Sequence, residues 1–241
     1  MPSPEKIQTD LEHVLLQVQK PGRYVGGEFN TVRKPWEQVG LRTALIFPDI
    51  YDIGVSNVGL KILYDEINRR SDALAERAYA PWTDMETAMR REGIPMYSLE
   101  SKHALSDFDL LGFSLPYETL YTNALNILDM SGIPVRAADR DETHPIVIAG
   151  GHAATNPEPM HAFIDAFVIG EGEEVIHEII DVLKQNKSPR QGAASVSYRS
   201  RESVLLELAR LPGVYVPKFY TVSYLDDGTI DHVETLVEGL A

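Results

Sequence analysis

From Leu41 onward the chain alternates short apolar runs with segments of helical period, and that alternation dictates the class of fold. The runs ALIF, LLGFS, PIVIA and DAFVIG are too short for helices and too uniformly apolar for strands with one wet face. Such runs are strands buried on both sides, as a parallel sheet covered by helices requires. Between them, SNVGLKILYDEINRR places Leu60, Leu63, Tyr64 and Ile67 on one helical face, with Ser56 or Asn57 as its cap. TDMETAMRREG has Thr83 and Glu86 at capping-box spacing and stops at Gly93. TLYTNALNILDMSG turns Leu120, Ala124, Ile127 and Leu128 inward, and EVIHEIIDVLKQNK carries a stripe of Val175, Ile176, Ile179, Ile180 and Leu183. With LAERAYAP as a further strand, about five strands and their helices predict a wound, mostly parallel α/β sheet of Rossmann-like or flavodoxin-like type.

The two ends differ from this middle. Residues 1–40 read as an N-terminal extension, with LEHVLLQVQ as an amphipathic helix and RYVGGEFN as a glycine-containing loop. The α/β domain takes residues 41–187. Residues 188–241 start with a linker, SPRQGAAS, continue as a helix and extended exit in ESVLLELARLPGVYVP, and close with a β-hairpin around DDG. VEGLA has no cap, so the polypeptide is expected to continue beyond Ala241.

Composition removes several classes of function. The chain has 241 residues and a formal charge of −14, with no Lys/Arg-rich cluster, which disfavours nucleic acid as a partner of this region. Cysteine is absent, so no disulfide, thiol nucleophile or thiolate-held metal belongs to it. MPSPEKIQTD lacks a secretory pattern and no apolar run approaches the length of a membrane span; the expected location is the cytoplasm, without a membrane contact.

Ligands of wound sheets sit outside the carboxyl ends of the strands, and four unusual loops fall there. They are DIYDIG with Asp49, Tyr51 and Gly54; SLP with Ser114; GGHAAT with Gly150, Gly151 and His152; and GEGEE with Gly170, Glu171 and Gly172. The glycines permit positive φ and a close approach of a flat ring to the backbone, or simply a tight turn. Ser114 offers a hydrogen bond to a heterocycle, or terminates its strand. GEGEE puts amides at a helix N-terminus, which suits an anion, but Glu171, Glu173 and Glu174 already complement the dipole, and capping is the role these residues favour. His152 lacks any metal-ligand spacing, and His103, His144 and His161 are scattered. Asp49 and Asp52 do not make a phosphoacceptor site, because the later strands end in glycine rather than lysine. Neither a nucleophile elbow nor a Walker loop is present.

Taken together, these residues resemble the N-terminal cobalamin-binding region of radical S-adenosylmethionine (radical SAM) proteins, in an uncharacterised branch. Cobalamin domains carry Asp-x-His-x-x-Gly, Ser-x-Leu and Gly-Gly at successive strand ends. Here Asp49, Tyr51 and Gly54 stand in the first motif, Ser114 with Pro116 in the second, and Gly150–Gly151 in the third. The stretch IVIAGGHAATNPEP…FIDAFVIGEGEEVI adds to the likeness, which runs from about Gln17 to about Pro217.

The resemblance implies a corrinoid seated by Asp49, Tyr51, Gly54, Ser114, Gly150, Gly151, His152, Gly170, Glu171 and Gly172, with none of them catalytic and none ligating metal. Tyr51 replaces the histidine that would coordinate cobalt, and a phenol with a pKa of roughly 10 is a poor substitute, so cobalamin is expected to bind without a protein imidazole. The cluster motif is missing, so a [4Fe-4S] cluster, S-adenosylmethionine and bond-breaking are expected of the full-length protein, in a downstream radical SAM domain. Two other readings stay open: a cofactor-free interaction module of the same fold, and a flavodoxin-like domain for a flavin or nucleotide. The substrate is not legible.

Overall fold

A computed structural model of the chain describes residues 2–188 and 197–240; residues 189–196, most of the linker SPRQGAAS, lie outside them. The strands are β1 (Leu41–Phe47), β2 (Ala73–Tyr79), β3 (Leu110–Ser114), β4 (Ile146–Gly150), β5 (Ala166–Val168), β6 (Val214–Tyr215), β7 (Tyr220–Tyr224) and β8 (Ile230–Thr235). The helices are α1 (Pro4–Val14), α2 (Gly22–Val25), α3 (Tyr51–Gly54), α4 (Val58–Arg69), α5 (Thr83–Glu92), α6 (Tyr121–Met130), α7 (Gly172–Asn186) and α8 (Arg201–Leu208).

β1 to β6 form one sheet in the order β2-β1-β3-β4-β5-β6, with β1 to β5 parallel and β6 antiparallel to β5. The expected wound α/β sheet is therefore present, in the flavodoxin-like order 2-1-3-4-5. β1 and β2 are buried along their whole length, including Arg42 and Thr43 on β1 and Glu76 and Arg77 on β2, which interrupt the apolar residues expected of strands covered on both faces. From β1 the chain steps one way to β2 and afterwards the other way through β3, β4 and β5. Right-handed crossovers then put α4 on one face and α5 and α6 on the opposite one. α7 joins α4 on its face, and α5 and α6 are tied together by Arg90–Asp129 at 2.9 Å and by Asn126 donating to Glu86 at 3.1 Å.

The two ends are packed into this body. Ile7, Leu11 and Val14 of α1 belong to the same buried cluster as the sheet, and α8 lies against α7. VYVP goes beyond the extended exit expected of it, since its first two residues pair with β5 as the sixth strand. The hairpin β7–β8 is antiparallel, and Gly228 turns it at φ 83°. Among the described residues no helix is long and apolar enough to cross a membrane.

Several local details differ from the sequence reading. α1 starts at Pro4 rather than within LEHVLLQVQ, because Ser3 accepts from the Lys6 N–H and Pro4 opens the first turn. Asn57, not Ser56, caps α4 by accepting from the Leu60 N–H at 2.8 Å. Thr83 is not a cap: it is the first residue of α5, Trp82 holds the cap position, and no side chain bonds there. The stop at Gly93 stands, with φ 68°.

Candidate functional site: a glycine-floored cavity at the carboxyl edge

The face of the sheet beneath α4 and α7 is built from alternate residues of each strand. At the rim, Ser114 pairs with Gly150 and Gly150 with Val168. One rung down, Leu45 pairs with Gly112 and Gly112 with Ile148. A further rung down lies Thr43, beside Leu110. Gly112 and Gly150 leave this face without side chains just where the two helices cover it. The result is a cavity of about 240 Å³ that opens at the rim between Gly150–Gly151 and Gly170–Glu173. Leu60 and Leu63 of α4 and Val175, Ile176 and Ile179 of α7 wall it.

Several of the glycines are demanded by the backbone. Gly151 has φ +101°, and a Cβ there would meet the Leu115 carbonyl oxygen at 2.9 Å. Gly170 has φ +116°, a conformation that L side chains rarely adopt. The floor is different. A Cβ on Gly112 would touch Leu45 Cδ2 at 3.3 Å and Ile148 Cγ1 at 3.9 Å, so at that position glycine keeps space open without being required by φ.

Thr43 is the one anomaly in an otherwise apolar lining at depth. It is fully buried, it lines the cavity, and its hydroxyl has no hydrogen-bond partner among the described residues. Buried hydroxyls are nearly always satisfied.

Six of the sequence-derived residues, Ser114, Gly150, Gly151, Gly170, Glu171 and Gly172, line this cavity, and four do not. The DIYDIG loop turns toward the N-terminal segment. The Tyr51 hydroxyl donates to Glu28 at 2.6 Å, its ring stands edge-on to Tyr79 with centroids 5.3 Å apart, and burial together with Glu28 raises its pKa to about 12. Gly54 is overlain by Tyr79: a Cβ would come within 2.5 Å of that ring. Asp49 accepts from its own neighbour's N–H, that of Ile50, at 2.7 Å. Asp52 is paired with Lys20 at 3.1 Å and with Arg23, which together hold its pKa down at about 2. His152 is exposed, and among the described residues no group of His, Cys, Asp and Glu could hold a metal. Glu171 occupies the cap position of α7 without a side-chain capping hydrogen bond, and Glu173 and Glu174 stand in the first turn, where they complement the helix dipole.

Sequence reasoning did not single out Thr43, Gly112 or Gly59, which also lines the cavity. For Gly112 a signal existed: a glycine inside a buried strand marks a close approach or a missing side chain. Nor was the polar cluster behind DIYDIG foreseen. Arg77 on β2 pairs with Glu28 at 2.6 Å and, through Nε, with Glu100 at 2.7 Å. The neighbouring Glu76 accepts from the hydroxyls of Ser98 and Ser101, each at 2.5 Å. Lys102, at φ 63°, donates to the carbonyls of Tyr24, Val25 and Leu99. This cluster clamps the N-terminal segment onto the outer side of β2.

The family described as "Radical SAM proteins, N-terminal" matches residues 59–217 of the chain. The uncharacterized protein MJ0966 of Methanocaldococcus jannaschii is 23% identical over 141 residues, a match covering 57% of this chain and 26% of that protein. The chain thus spans about a quarter of that relative's length. No solved structure matches the chain.

Proposed function

We propose, on the premise that this chain belongs to the N-terminal family of radical SAM proteins, that its sheet seats a corrinoid, with the corrin over the carboxyl rim and the nucleotide base inside the cavity. The observation that carries this reading is the shape of the cavity. At about 240 Å³ it falls below the ~300–1,000 Å³ of sites that engulf a whole small molecule, yet it reaches two rungs into the sheet. It therefore suits one flat appendage of a larger ligand whose body lies outside. It opens beside the β1/β3 switch point of the sheet, where wound folds bind their ligands.

The residues fit such a cofactor in part. Gly112 and Gly150 leave a slot between sheet and helices, Leu60, Leu63 and Ile176 exclude water from it, and Ser114 sits at its mouth. Tyr51, which stands where a histidine ligand to cobalt would, is committed to Glu28. A corrinoid supplies methyl-carrying or radical chemistry when bound; this chain's own residues would hold its base and keep the slot dry. A thiolate-held [4Fe-4S] cluster does not fit here, because the chain has no cysteine. We assign that cluster and S-adenosylmethionine to a downstream domain of a longer, cytoplasmic polypeptide, the partner of this region.

The test is to mix the protein with hydroxocobalamin, desalt it and record its absorption spectrum. Retention of the chromophore, in a form lacking protein imidazole coordination, is the expected result. A colourless product from both this chain and the full-length protein would refute the reading. It would favour a cofactor-free module of the same fold, for which the turning of Tyr51 toward the N-terminal segment already speaks.

A further inference from the structure

The orphaned hydroxyl of Thr43 lies about four residues, roughly 13 Å along the strand, below the end of β1. Thr43 stands on the same face as Leu45 and lines the inner end of the cavity, and its buried hydroxyl has no partner among the described residues. A buried hydroxyl left without a partner is destabilising, and valine would fill the same volume without that penalty. A threonine at this position is explained if an occupant supplies the missing partner.

We infer that Thr43 is a specificity-determining residue, which hydrogen-bonds a polar atom on the leading edge of the flat ring that fills the cavity. The inference rests on the proposed seating of a nucleotide base and adds which base is taken. The preferred ring is a heteroaromatic base with a ring nitrogen, amine or hydroxyl at its far edge, such as adenine or hydroxybenzimidazole. A base that presents only methyl groups there, such as dimethylbenzimidazole, leaves the hydroxyl unsatisfied. The rest of the slot, lined by Leu45, Leu60, Leu63 and Ile148, accepts either ring by its apolar faces, so the discrimination falls on one contact.

The experiment compares wild type with Thr43→Val in three measurements. First, the ligand-free variant is expected to gain about 2–4 °C in Tm; a fall would show that the hydroxyl already has a partner in the protein, and would overturn the inference. Second, adenine, hydroxybenzimidazole and dimethylbenzimidazole are titrated by calorimetry as their ribosides, in which the sugar keeps the substituted ring nitrogen at the mouth of the cavity. Wild type should favour the two polar bases by about tenfold, the value of one buried hydrogen bond, and Thr43→Val should erase that preference while keeping dimethylbenzimidazole. Equal affinities in both proteins, or no binding of any base, would overturn it. Third, retention of hydroxocobalamin is scored separately. Selective binding of polar bases without corrinoid retention refutes the corrinoid reading and leaves the role of Thr43 standing; corrinoid retention without base selectivity does the reverse.

Discussion

The phenol of Tyr51 donates to Glu28 at 2.6 Å, and Glu28 is itself paired with Arg77 at 2.6 Å. The loop after β1 is thereby bonded to the N-terminal segment instead of the cavity. Tyr51→Phe removes one hydrogen bond and leaves the Glu28–Arg77 pair in place. Chemical denaturation should show a loss of about 1 kcal/mol, with ligand uptake by the cavity unchanged. Tyr51→His should not convert a bound corrinoid into an imidazole-coordinated one, because position 51 faces Glu28. Electron paramagnetic resonance of the cobalt(II) form would reveal a nitrogen ligand if that expectation is wrong.

The floor of the cavity permits a cleaner probe than its rim. Gly112 is held by space alone, so Gly112→Val should fill the slot with a small shift of Leu45 and leave stability within about 1 kcal/mol of wild type. Uptake of a flat base or corrinoid should be lost. Gly151→Ala must instead place a Cβ at φ +101° and 2.9 Å from the Leu115 carbonyl oxygen, and should cost about 1–3 kcal/mol. Thermal melts and cobalamin retention on the two variants separate emptiness from backbone strain. A Gly112→Val protein that still retains ligand would remove the cavity from consideration.

The fold was legible because burial on both faces wrote residues 44–47 of β1, most of β3 and all of β4 as apolar runs, and because helices such as α7 carry a clean stripe. Position along the chain also led correctly to Ser114, Gly150 and Gly170 as residues of the carboxyl edge. What stayed hidden depends on three-dimensional neighbours. Tyr51 occupies a motif position, yet its direction is set by Glu28, 23 residues away in sequence. Thr43 reads as an ordinary strand threonine until its hydroxyl is seen to have nothing opposite it. The sixth strand, β6, is only two residues long, too short to carry any periodicity.

The start of β5 is anchored by a buried ionic node. Asp165 Oδ2 accepts from the Val147 N–H at 2.7 Å, from Arg140 at 3.1 Å and from Arg201 at 2.6 Å. It thereby joins β4, β5 and α8 on the edge of the sheet opposite the cavity. Asp165→Ala would leave two guanidinium groups buried without their carboxylate, a loss of about 3–5 kcal/mol. Hydrogen exchange should show α8 and β6 losing protection first. A variant with unchanged exchange there would mean that apolar packing alone holds α8.

Glu76 gives the protein a pH dependence whose sign follows from burial. Desolvation raises its pKa above 4.5 and the nearby Glu100 adds to the rise, while the hydroxyls of Ser98 and Ser101 oppose it. The folded state thus holds the proton more tightly than the unfolded chain does. The associated stability is fully present below pH 4.5 and is lost as pH rises through the raised value, above which the buried carboxylate is carried ionised at a cost. Glu76→Gln keeps an acceptor for both serines and has no charge to bury. Its Tm relative to wild type should therefore be higher near neutral pH than in acid, with the difference opening as Glu76 ionises. Glu100 is present in both proteins, and its charge adds to the cost of ionising Glu76 only where Glu76 is there to ionise. A Tm gap that is flat across this range, or that moves in wild type's favour as pH rises, would mean that the two serine hydroxyls stabilise the carboxylate enough to cancel its desolvation.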